Sequence, residues 1–185
     1  MIKMEHNFFY SLAFFVAIML FYSAYAYDND PSNKVRACVD FEPRVVVCGK
    51  TLVSETRMSK AIREWERLGY SFGEVEYVEK EACSKIDDYG VFFILEPDED
   101  FDYNYLAITK RFTIKVLDQD YILYSKIFIP RKEVRRERIL EHEMGHAFGW
   151  DHFNSSYHIM HENWAEGGRK ITGLSRDVYD KKCSQ

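Results

Sequence analysis

The sequence lacks the features that mark several broad classes of protein. It has no long basic run and a net charge of −5, so nucleic acid is not an expected partner. It contains no internal repeat, no low-complexity tract and no linker rich in proline, glycine or serine. Its 185 residues are 46% hydrophobic and 30% charged. This composition predicts one globular domain with a real core and excludes a disordered chain.

Long apolar runs are also missing, except near the N-terminus. There, a short segment containing Lys3 precedes the nearly continuous apolar run from Phe8 to Tyr22, and Ala24-Tyr25-Ala26 offers a cleavage site. Residues 1–26 are therefore predicted to be a signal peptide, and residues 27–185 the mature domain. An uncleaved anchor is the alternative, but the run is shorter than the roughly 20 residues of a spanning helix. The mature protein is expected to be secreted or periplasmic, without membrane attachment.

The four cysteines include no CxxC pair. Cys38, Cys48, Cys83 and Cys183 all lie in the mature part. In an oxidising compartment an even set of this kind predicts two disulfides, and the residues alone leave three pairings open. A zinc cluster of four thiolates is the competing interpretation, which the wide spacing disfavours.

The pattern of apolar residues predicts a mixed α/β (α+β) fold, with helices packed on a sheet. Predicted strands cover residues 44–48, 74–78, 91–95 and 121–129, with a weaker edge strand at 105–109. A second helix is expected after Pro130 and ends at Gly149. A first helix is expected between the N-cap Ser54 and the C-cap Gly69, with an apolar stripe formed by Met58, Ala61, Ile62, Trp65 and Leu68.

The loop at residues 96–102 is strongly acidic and is a candidate site for Ca²⁺. A solvated loop is the default interpretation, because acidic side chains in loops commonly face water.

Three of the six histidines fall within the eleven residues HEMGHAFGWDH, which run from His142 to His152. His142 and His146 are four residues apart, so on a helix they project from the same face. Gly149 can adopt the positive φ that turns the chain, and this turn brings His152 back towards them. Three imidazoles without a fourth protein ligand are typical of a catalytic zinc site, in which water takes the open position.

Glu143 is predicted to be the general base of this site. It follows His142 directly, so it lies near the metal and can take a proton from the zinc-activated water. A bare HExxH also fits an amphipathic helix with surface histidines, but the extension to HExxHxxGxxH argues strongly against that interpretation. Metal, water and carboxylate together predict hydrolysis of an amide bond.

This sequence resembles the metzincin zinc endopeptidases, whose zinc motif is followed by a methionine turn. Met160, in Tyr157-His-Ile-Met160, lies eight residues after His152, a step similar to that of the matrixin branch. The resemblance implies that His142, His146 and His152 bind Zn²⁺, that Glu143 is catalytic, and that Met160 forms the floor beneath the metal.

Further implications of the resemblance concern the fold and the substrate. It implies a mixed sheet with one antiparallel edge strand, two main helices and a small C-terminal subdomain, whose helix opens at residues 174–177. It also implies that residues 106–108 pair with an extended substrate. The family geometry favours the disulfides Cys38–Cys183 and Cys48–Cys83.

The sequence departs from the matrixin pattern in three places. No histidine occurs between residues 7 and 141, so the second, structural zinc site of vertebrate matrixins is missing. No cysteine-switch propeptide motif surrounds Cys48-Gly49. The usual Tyr-Pro after the methionine is replaced by His161-Glu162, which leaves the preferred substrate side chain open. His158 and His161 are expected to be loop residues near the site rather than ligands.

We therefore expect a monomeric, secreted zinc endopeptidase whose partners are protein or peptide substrates. Two alternatives stay open: a zinc-containing binding module without catalytic activity, and a zinc amidase that acts on cell-wall peptides.

Overall fold

A computed structural model of the chain describes residues 30–184. The predicted signal peptide and its cleavage site lie outside the described residues. Within them, a 3₁₀ turn at Pro31–Lys34 is followed by five strands and four helices. The strands are β1 (Arg44–Cys48), β2 (Val75–Val78), β3 (Val91–Leu95), β4 (Ile108–Val116) and β5 (Gln119–Phe128). The helices are α1 (Glu55–Glu66), α2 (Lys80–Cys83), α3 (Ile139–Ala147) and α4 (Arg176–Cys183).

The strands form one mixed sheet in the order β2-β1-β3-β5-β4. The first three neighbouring pairs are parallel, and β4 is antiparallel to β5 at the edge. β1 and β3 are interior strands, and their Val-rich and Phe-rich sequences are almost entirely buried. The predicted mixed α/β fold with one antiparallel edge strand is confirmed.

Helix α1 follows the predicted pattern closely. Ser54 is its N-cap and accepts a hydrogen bond from the Arg57 backbone N–H at 3.2 Å. Its buried residues are Met58, Ala61, Ile62 and Trp65, which are four members of the predicted apolar stripe. The helix itself ends at Glu66, and Gly69 then turns the chain with φ +92°.

Two predicted boundaries are wrong. The edge strand runs from Ile108 to Val116 rather than over residues 105–109, and much of it is exposed. It pairs only with β5, and most of its residues from Phe112 onward are exposed, so the apolar pattern predicts this part of the strand poorly. The second helix starts at Ile139, well after Pro130, because residues 131–138 form successive turns.

Most of the core lies between the sheet and helices α1 and α3. The largest side chains there include Trp65, Phe92 and Phe148, all nearly inaccessible to solvent. A smaller cluster on the opposite face of the sheet contains Val46 and Phe93. The segment after α3 packs into the main core through Met160 and Tyr179.

Two disulfides connect distant parts of the described chain. Cys38–Cys183 joins the N-terminal segment to α4, and Cys48–Cys83 joins β1 to α2. Both predicted pairings are confirmed. Near the first disulfide, the Tyr179 hydroxyl donates to the Phe148 carbonyl at 2.7 Å and accepts from the Val39 N–H at 2.6 Å.

Candidate metal centre

Helix α3 and the turn after it bring the three predicted ligands together. His142 and His146 lie one turn apart on α3, which ends at Ala147. Gly149 has φ +103°, and a Cβ atom there would collide with the Ala37 carbonyl oxygen. Only glycine therefore fits the turn that carries the chain back to His152.

The imidazole nitrogens converge on one point. The Nε2 atom of His146 lies 3.1 Å from the Nε2 atom of His142 and 3.1 Å from that of His152. The ligand atoms of all three residues lie within 4.8 Å of one another. In residues 30–184 no other group of three His, Cys, Asp or Glu side chains converges in this way.

Backbone carbonyls orient two of the rings. The Nδ1 atom of His142 lies 2.7 Å from the Ile159 carbonyl oxygen, and that of His146 lies 2.8 Å from the Trp150 carbonyl oxygen. A carbonyl oxygen can only accept, so each Nδ1 carries the proton and each Nε2 lone pair faces the centre. Hydrogen bonds of this kind commonly orient metal-binding histidines.

The protein environment also keeps the imidazoles neutral. Burial lowers the pKa of His142 to about 4 and the pKa of His146 to about 3. The pKa of His152 is lowered too, again mainly by burial. All three rings are therefore neutral at neutral pH, which is the form that binds a metal ion.

The donor set fits zinc. A tetrahedral Zn²⁺ with Zn–N bonds of roughly 2.0–2.1 Å places its ligand nitrogens about 3.3 Å apart. The two 3.1 Å separations are close to this value. Imidazole also suits copper, iron and nickel, so the geometry supports a metal site without identifying the metal.

Glu143 points into the same cleft but is not one of the converging ligands. Its side chain is buried, and its Oε2 atom accepts a hydrogen bond from the Thr109 hydroxyl at 2.6 Å. Burial raises the pKa of Glu143 to about 7, against the lowering effect of the Thr109 hydrogen bond. Sequence reasoning missed Thr109, because nothing in the sequence reveals which residue of β4 faces α3.

Met160 lies against the ligand helix α3. It is fully buried, and a Cβ atom on Gly145 would collide with its sulfur and lie 2.9 Å from the Trp65 ring. Glycine at position 145, between the two helical histidines, thus lets Met160 pack against the helix. The methionine therefore gives the ligand helix an apolar contact at this position.

A buried ion pair anchors the ligand helix to α1. Two Arg57 nitrogens lie 2.7 Å and 2.5 Å from the two carboxylate oxygens of Glu141, the residue before His142. The Trp65 indole N–H also donates to the Glu141 carbonyl at 3.0 Å. Both partners look like ordinary exposed helix residues in the sequence, so the pair could not be predicted.

Arg111 of β4 contacts the opposite end of the helix. One of its guanidinium nitrogens lies 3.3 Å from the His146 carbonyl oxygen and 3.4 Å from the Trp150 carbonyl oxygen. The Trp150 carbonyl is the one that orients the His146 ring. Arg111 therefore helps to hold the turn between the helical ligands and His152.

The two remaining histidines of the described chain stay outside the ligand set, as expected. His158 is buried, with Nε2 3.0 Å from the Thr172 carbonyl oxygen and Nδ1 accepting from the Met160 N–H. His161 lines the cleft, and its Nδ1 accepts from the Asn163 N–H at 3.0 Å. Residues 96–102 form a largely exposed loop that brings no three carboxylates together, so the Ca²⁺ prediction gains no support.

The site opens into a cleft of about 780 Å³. One wall comes from residues 104–109, before and at the start of β4, and another from α3. The third consists of residues from the loop that follows Met160, including His161, Trp164 and Gly167. The cleft is large enough for several residues of an extended chain.

No protein-family model matches this chain, and a search of curated proteins finds no match. The likeness to metzincins therefore rests on the motif itself and on the histidine triad that the fold brings together.

Proposed function

We propose that this protein is a secreted, zinc-dependent endopeptidase of the metzincin type, similar to the matrixin branch. One observation carries the proposal: three neutral imidazoles converge in the same cleft as a buried glutamate that is not among the ligands. A structural metal site is closed by four protein ligands and needs no carboxylate beside an open coordination position.

His142, His146 and His152 would hold the metal, which supplies Lewis-acid chemistry by polarising a carbonyl group and acidifying water. Glu143 accepts the proton of the attacking water and then passes it to the leaving amine. Thr109 donates to Glu143 Oε2 and so fixes the direction of the carboxylate. Met160 excludes water from beneath the ligands and takes no part in proton transfer.

The substrate is proposed to be a protein or peptide in extended conformation. β4 lies at the edge of the sheet, and residues 104–109 form one wall of the cleft. A free strand edge offers backbone N–H and C=O groups to a peptide laid beside it. In the described structure the region that can play this role starts at Ile108.

The extracytoplasmic location is supported by the two disulfides, which persist in oxidising compartments. Within residues 30–184 there is no helix long and apolar enough to cross a membrane.

Glu143→Ala separates catalysis from metal binding. Glu143 is not a ligand, so the variant should keep about one zinc ion per chain and the parental fold. It should hydrolyse peptides about 10²–10⁴-fold more slowly, because the general base is gone. His146→Ala is the matched comparison and should lose zinc and activity together. Chelation should inactivate the parent, and added Zn²⁺ should restore it.

The assay is digestion of a broad peptide library that includes cell-wall stem peptides. Unchanged cleavage by Glu143→Ala would refute the catalytic assignment. Cleavage confined to the cell-wall peptides would identify an amidase instead. A metal-loaded parent that cleaves nothing but binds one target tightly would be a binding module.

A further inference from the structure

Arg138 occupies one side of the cleft, four residues before His142. It is the N-cap of α3, with φ 69°, and its side chain makes no capping hydrogen bond. The guanidinium carbon lies 4.5 Å from the centre of the Trp164 ring. One of its nitrogens is 3.4 Å from where a Cβ atom on Gly167 would stand. The guanidinium is therefore held between two residues that also line the cleft.

The charge of Arg138 has no carboxylate partner within residues 30–184. The neighbouring acidic side chains are paired with other arginines. Glu133 forms an ion pair with Arg136, and both oxygens of Glu137 lie 2.9 Å from a nitrogen of Arg169. A guanidinium that stacks on an indole keeps its N–H edges free. These edges match the two oxygens of a carboxylate.

Other charges of the cleft do not neutralise Arg138. Glu143 is turned towards Thr109, and Asp151 forms an ion pair with Arg36 at 2.8 Å. Glu162 remains, but it is exposed to solvent. The start of α3 adds the positive end of a helix at Arg138 itself. The side of the cleft at Arg138 therefore carries an unneutralised positive charge that can bind an anionic group.

We propose that Arg138 determines substrate specificity by binding an aspartate or glutamate side chain next to the scissile bond. This inference rests on the proposed endopeptidase function and adds the chemical class of the preferred substrate. The substrate carboxylate would form a bidentate ion pair with the guanidinium while the metal site acts on the adjacent peptide bond. Neutral isosteres, glutamine and asparagine, would fit the same space without the ion pair.

The test uses matched peptides built from a sequence that the purified protein cleaves. Each residue flanking the scissile bond is replaced in turn by glutamate, glutamine or lysine, and kcat/KM is measured. At one flanking position glutamate should exceed glutamine by about tenfold, the scale of a partly desolvated charge pair. Arg138→Gln should bring this ratio close to one, and Arg138→Glu should favour lysine. Arg135→Glu, an exposed charge reversal outside the cleft, should leave the ratio unchanged.

Equal rates with glutamate and glutamine in the parent would overturn the inference. So would a preference that survives in Arg138→Gln, or one that Arg135→Glu abolishes equally well. If the parent cleaves no peptide, the endopeptidase proposal fails. The charge preference of Arg138 is then tested by peptide binding. The zinc-loaded Glu143→Ala variant should bind a fluorescent decapeptide pool with central glutamate more tightly than the same pool with glutamine. Equal binding of the two pools would overturn the charge preference independently of catalysis.

Discussion

The ion pair between Arg57 and Glu141 should contribute strongly to stability. It joins α1 to the ligand helix through two short contacts, and the side chains are only 15% and 4% exposed. Arg57→Met removes the positive charge but keeps an apolar stem of similar length. The Glu141 carboxylate would then be buried without its partner.

Removing one member of a buried ion pair typically costs about 3–5 kcal/mol, because the remaining charge stays desolvated. That is a large part of the roughly 5–15 kcal/mol that stabilises an ordinary domain. Arg57→Met combined with Glu141→Met should recover much of the loss, since neither charge is then buried. The matched control is Arg169→Met, because Arg169 contacts both oxygens of Glu137 at 2.9 Å on the surface. With side chains 69% and 62% exposed, that pair should contribute little.

The measurement is urea unfolding of each variant at one saturating zinc concentration, because bound metal itself stabilises the folded state. Zinc content after dialysis shows whether the position of His142, next to Glu141, is disturbed. The reasoning is refuted if Arg57→Met destabilises the protein no more than Arg169→Met does. A double variant as unstable as Arg57→Met alone would mean that packing, rather than the unpaired charge, sets the loss.

Two further predictions concern the Thr109–Glu143 hydrogen bond and the Cys38–Cys183 disulfide. Thr109→Val removes the hydroxyl that orients Glu143 and should lower kcat about tenfold with KM and zinc content nearly unchanged, since positioning is lost. Thr109→Ser should keep the rate, and equal losses in both variants would contradict the hydrogen-bond role. Replacing Cys38 and Cys183 by serine should lower the free energy of unfolding by about 5 kcal/mol in the chain-entropy model. The model predicts a larger loss for Cys38–Cys183, whose cysteines are 145 residues apart, than for Cys48–Cys83, whose cysteines are 35 apart. A smaller loss on removing Cys38–Cys183 would argue against the model.

The parts of the fold that could be predicted are those with strong local signals. β1 and β3 are short apolar runs buried on both faces, and their limits were predicted correctly. The spacing of His142 and His146 fixes their common helical face, and Gly149 marks the turn before His152. These features depend on residues within a few positions of each other, which makes them readable from sequence.

The remaining features depend on partners far away in the chain. Thr109 and Arg111 reach α3 only because β4 pairs with β5 in one particular register. The start of α3 could not be placed, because Arg138 adopts a left-handed conformation that no local pattern specifies. The disulfide pairing was predicted from family resemblance, since four cysteines alone allow three arrangements.

The hydroxyl of Tyr179 has a consequence for the order in which the metal site assembles. It holds the Phe148 carbonyl, at the point where the chain leaves α3, and the Val39 N–H beside Cys38. Helix α3 can form from local contacts within about a microsecond, whereas contacts between the two ends of a chain form late. We therefore expect His142 and His146 to be placed early, and the turn that carries His152 to gain its Tyr179 support only when α4 has docked. We expect a chain that stops before Ser175 to contain all three ligands and still bind zinc more weakly than the full chain. Zinc titration of the two would measure this, and equal affinities would show that the histidine turn assembles without its distant support.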